Sequence, residues 1–91
     1  MTEPEAIKVL IVDDHQVVRQ GLRTFLELHD DIRVVGEAGD GMAAVELAHS
    51  RGPDVVLMDL VMPRLYGVGA TQQIHAAGLP VKVIALTSFT E

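Results

Sequence analysis

The 91-residue sequence contains no cysteine, which removes disulfides and thiolate metal sites. It has no apolar run near the roughly 18 residues that a membrane-crossing helix needs. Its amino terminus, MTEPEAIK, is acidic and lacks the basic-then-apolar order of an export signal. No internal repeat, linker or low-complexity stretch interrupts it. The seven basic residues, Lys8, Arg19, Arg23, Arg33, Arg51, Arg64 and Lys82, are scattered singly, so no basic stripe is available to grip a phosphate backbone. The four histidines, His15, His29, His49 and His75, are too far apart in sequence for a local zinc pair and read as surface or partly buried fillers. The expectation from these absences is a single cytoplasmic domain with no direct nucleic-acid binding and no membrane contact.

What is present is a 48% hydrophobic chain with a net charge of −6, a composition of globular rather than disordered proteins. Four apolar segments read as strands, at about 7–12, 33–38, 54–59 and 81–86. Helical spacing of Val18, Leu22, Phe25 and Leu26 predicts a helix from Asp14 to about Leu28. Ala44, Leu47 and Ala48 predict a second over Gly41 to Arg51, stopped by Arg51-Gly52-Pro53. A third is expected over Val68 to His75, closed by Gly78-Leu79-Pro80. Strands alternating with helices predict an α/β fold, a doubly wound parallel sheet with helices on both faces.

Within this pattern VVLMDLVMP (55–63) stands out, because it puts Asp59 into an otherwise apolar run where desolvation makes charge costly. In an open parallel sheet, ligands bind outside the carboxyl ends of the strands, where strand order reverses. The first strand ends in Asp13-Asp14, the third in Asp59 and the fourth in Thr87-Ser88. If these strands are neighbours, three carboxylates and a hydroxyl share one crevice. Converging carboxylates call for a hard divalent cation with oxygen ligands, and Mg²⁺ suits them best. Such a site suits phosphoryl chemistry, with Asp59 as nucleophile and Thr87 as hydrogen-bond donor to a phosphoryl oxygen. Each part also has a structural reading. Asp13-Asp14 sits where a helix begins, and Asp13 with Gln16 resembles a capping box. Thr87-Ser88 has a common turn composition.

IVDDH (11–15), DVVLMDLVMP (54–63) and VIALTS (83–88) resemble the receiver domain of bacterial two-component response regulators. IVDDHQVVRQGL with VVGEAGDG resembles the subfamily that carries a LuxR-type helix-turn-helix output domain. The resemblance implies a flavodoxin-like sheet of strand order 2-1-3-4. It implies that Asp59 accepts a phosphoryl group from a sensor histidine kinase, with Mg²⁺ held by Asp14, Asp59 and the backbone carbonyl of Val61, and Asp13 completing the acidic pocket. Thr87 matches the switch hydroxyl, with Ser88 beside it, and Val61 and Phe89 match positions that tune the lifetime of the phosphoryl state. Pro63 and Gly67 match the turn after the acceptor, from which Tyr66 and Gly69 depart.

The family's fifth strand, its lysine and its last helices have no counterpart up to Glu91, so the expectation is an incomplete receiver without the catalytic lysine. Lys82, at the opposite end of its strand, cannot substitute. The strand at 81–86 is then an apolar edge that favours a homodimer or a swapped oligomer. Alternative readings are a phosphorylation-independent receiver-like interaction module or an Mg²⁺-dependent phosphohydrolase. The hydrolase lacks its second acid, since Leu60-Val61 follows Asp59. A dinucleotide-binding site lacks its glycine-rich turn. The expected protein is thus a signalling domain rather than an enzyme.

Overall fold

A computed structural model describes residues 6–59 and 67–86. In chain order the elements are β1 (Ile7–Val12), α1 (Gln16–Leu26), β2 (Ile32–Ala38), α2 (Gly41–Arg51), β3 (Val55–Asp59), α3 (Gly67–Ala76) and β4 (Lys82–Leu86). All strand pairs are parallel, in the order β2-β1-β3-β4. This is the doubly wound, flavodoxin-like arrangement, and the order reverses between β1 and β3.

β1 lies at the centre, and its Leu10-Ile11-Val12 run is fully buried. Successive strand residues point to opposite faces, so this run supplies both layers of the core. On one face Leu10, Val12, Val56 and Met58 pack with Ala44 and Ala48 of α2 and Ile74 of α3. On the other, Val9, Ile11 and Val34 pack with Leu22 and Leu26 of α1. Burying each Leu, Ile or Met contributes about 1.5–3 kcal/mol.

The helix ends show why the boundaries fall where they do. α2 begins at an Asp40 cap whose carboxylate accepts the Ala43 N–H at 2.8 Å and ends at Gly52, whose φ of 58° suits a residue without Cβ. α1 begins at Gln16, after an extended His15 that makes no side-chain cap. The capping box that Asp13 and Gln16 resemble does not form, because the Asp13 carboxylate turns instead to the His15 N–H at 2.8 Å. The helix also stops at Leu26, which leaves Leu28 outside it and 75% exposed.

Candidate functional site

The site stands at the carboxyl ends of β1 and β3. Val12 registers with Met58, so the next residue on each strand, Asp13 and Asp59, meets the other across the switch point. Both are 7% exposed. Asp14 follows in the β1–α1 loop with its side chain 27% exposed. Asp13, Asp14, His15 and Asp59 each offer a ligand atom, and these atoms all lie within 4.8 Å of one another. Asp59 thus occupies its apolar strand at the last position, beside β1 and β4, where the strand opens into the crevice.

His15 is a member of the cluster that sequence reasoning missed. It is not a filler: its Nδ1 lies 3.0 Å from Asp13 Oδ1 and 3.0 Å from Asp14 Oδ1. The hydrogen bond with Asp13, followed by the charges of Asp14, Asp13 and Asp59, raises the imidazole above its usual pKa of 6.5. The available signal was Asp-Asp-His at a strand end, where an extended residue before a helix folds its ring back over the preceding turn. His29, His49 and His75 are exposed, as expected of surface residues.

The backbone here is tightly held. The Asp13 N–H donates to Ala38 O at 3.1 Å, while the Asp13 carbonyl accepts from Arg19 Nη1 at 2.6 Å. Oxygen donors this close suit an octahedral cation with ligands at about 2.0–2.1 Å, which places opposite ligands a little over 4 Å apart. Three carboxylates facing one crevice also need positive charge to offset their repulsion. The residues present therefore fit a hard divalent metal, with His15 Nδ1 set against two of their oxygens. Val61, Pro63, Tyr66, Thr87, Ser88 and Phe89 lie outside the described residues. Gly67 and Gly69 fall within α3.

Comparison with known proteins accords with this architecture. The family model of the response regulator receiver domain matches residues 9–91, and the chain belongs to that family. It is 52% identical over 85 residues to the transcriptional regulatory protein LiaR of Bacillus subtilis, covering 93% of this chain and 40% of that one. It is 49% identical over 86 residues to the response regulator protein VraR of Staphylococcus epidermidis, covering 94% and 41%. The response regulator domain of Thermotoga maritima CheB superposes with a TM-score of 0.89 at 41% identity, over 96% of this chain and 64% of that one. A LuxR-family DNA-binding response regulator from Staphylococcus aureus gives 0.85 at 28%, over 93% and 71%. The chain thus spans about 40% of the length of the relatives LiaR and VraR. Receiver domains are signalling modules. Among the described residues no helix is long and apolar enough to cross a membrane.

Proposed function

We propose that this domain is a phosphorylation-controlled receiver that accepts a phosphoryl group on Asp59 from a sensor histidine kinase, in the cytoplasm, within a regulator of transcription. The observation that carries this reading is the convergence of Asp13, Asp14 and Asp59 within 4.8 Å at the switch point of the sheet. A carboxylate oxygen of Asp59 attacks the phosphorus of a phosphohistidine. The new O–P bond forms as the P–N bond breaks, and the donor imidazole leaves with that electron pair.

Asp13, Asp14 and Asp59 would hold Mg²⁺, with the Val61 carbonyl as a further ligand. When bound, the ion neutralises charge that builds on the phosphoryl oxygens. Asp14, the more exposed acid, would contact the metal most directly, and Asp13, tied to His15, would orient the pocket. Thr87 and Ser88 would hydrogen-bond the phosphoryl group, and the apolar Val61 and Phe89 would slow its hydrolysis.

Intact mass after incubation with Mg²⁺ and a small acyl-phosphate donor tests the proposal. One added phosphoryl group on the protein and none on Asp59→Asn is the expected result. No addition to the folded, unsubstituted protein overturns it.

One observation favours a second reading, an interaction module that pairs through β4. Among the described residues β4 is hydrogen-bonded to β3 on one side alone, and its Ile84 is 50% exposed. A homodimer or swapped oligomer that forms equally with and without phosphodonor, measured by light scattering, would support it.

A further inference from the structure

We infer that Arg19 is a positioning residue for the acidic pocket, holding the Asp13–Asp14 peptide in the orientation that lets both carboxylates face one cation. The inference rests on the receiver reading and extends it to a residue that touches neither the metal nor the phosphoryl group. Arg19 lies in the first turn of α1, and its side chain is only 18% exposed. Nη1 donates to the Asp13 carbonyl at 2.6 Å, and Nε donates to Glu37 Oε1 of β2 at 3.3 Å. The other oxygen of Glu37 accepts from Arg23 Nη1 at 2.8 Å. Glu37 is thereby gripped from two successive turns of α1, and Arg19 transmits that anchorage from β2 to the end of β1.

The consequence follows from peptide geometry. The Asp13 carbonyl shares a rigid plane with the Asp14 N–H. With the Asp13 N–H already bonded to Ala38 O, both backbone groups of Asp13 are fixed, which sets the direction in which Asp14 leaves the strand.

The ion pairs offset the charge of Arg19, and its direct bond to the Asp13 carbonyl remains. Arg19 and Arg23 are matched by Glu37 and by Glu27, the latter 3.4 Å from Arg23. Two cations beside two carboxylates sum to no net charge in this bridge. What remains is orientation: a direct bond to the backbone that carries two of the three acids.

The test compares three α1 variants of the 91-residue protein, Arg19→Met, Arg19→Lys and Leu22→Ala. Arg19→Met keeps the length of the side chain and removes both bonds. Leu22→Ala weakens the packing of the same helix and leaves the bonds intact. Two quantities are read by NMR: the Mg²⁺ dissociation constant, and the ¹³C shift of the Asp13 carbonyl in metal-free protein, which reports its hydrogen bond.

Arg19→Met is expected to weaken Mg²⁺ binding by about tenfold, as loss of an orienting group does in metal sites generally, and to move the Asp13 carbonyl upfield. Arg19→Lys, able to reach one partner but not both, should recover part of the affinity. Leu22→Ala should lower the urea midpoint and leave both readings unchanged. Unchanged Mg²⁺ affinity in Arg19→Met overturns the inference, as does an equal loss in Leu22→Ala. Failure of the receiver reading looks different, because the unsubstituted protein then takes up no Mg²⁺, which overturns both.

Discussion

The two faces of the sheet are covered in different ways. Among the described residues, eight are buried into one cluster under α2 and α3, with Ala44 and Ala48 of α2 among them. Under α1, among the described residues, only Val9, Ile11 and Val34 are buried in the core, and α1 itself contributes no buried residue. Its Val18 and Phe25 are 44% and 61% exposed, and Ile84, which registers beside Leu57 on this face, is 50% exposed. α1 therefore owes part of its attachment to the polar bridge of Arg19 and Arg23 to Glu37. Stability is concentrated on one face, while the loop that carries Asp13 and Asp14 belongs to the other.

Core truncation offers the largest way to break this contrast. Ile74→Ala, on the tightly packed face, should cost about 3 kcal/mol in urea unfolding. Leu22→Ala, at a half-buried position of α1, should cost less than half as much. Equal losses would show that the two faces carry the fold alike.

The helix caps sharpen the comparison at a smaller scale. Asp40→Ala removes the side-chain cap of α2 and should cost about 1 kcal/mol. Phe25→Gln, on the exposed flank of α1, should stay within about 0.5 kcal/mol. A larger loss from Phe25→Gln would mean that this flank is covered in solution, for example by a second copy of the chain.

The smallest effect is a titration. In metal-free protein the His15 imidazole should titrate above 6.5, and Asp14→Asn should lower its midpoint, both by NMR. The folded-state pKa is raised, so the contribution of the imidazolium is fully present below the unfolded value. It is lost as the pH rises through the folded value. With its side chain 69% exposed, His15 should change stability only slightly over that range. A His15 midpoint at or below 6.5 would contradict the geometry of the cluster.

Much of this was legible beforehand, and the reasons differ residue by residue. Apolar runs and helical spacings place seven elements in order, with strand bounds shifted by one residue at the starts of β2, β3 and β4. Asp59 was legible because a carboxylate in an apolar strand violates the local pattern. His15 was not, since nothing in a lone histidine tells which way its ring turns. Asp13 admitted a capping reading because Ser, Thr, Asp and Asn at a strand–helix junction can serve either the helix or the loop, and here its carboxylate serves the loop. Glu37 and the α1 arginines look like ordinary surface charges until β2 is laid beside β1.

The sequence by itself determined the alternation of strands and helices, the apolar centre and the identity of the acids, because these follow from local periodicity and from the cost of burying charge. Only the tertiary structure decided that His15 folds over the carboxylates and that Arg19 links β2 to the Asp13 carbonyl. Those contacts join residues distant in sequence, or depend on one side-chain direction among several. Chain packing sets them, and no local pattern encodes them.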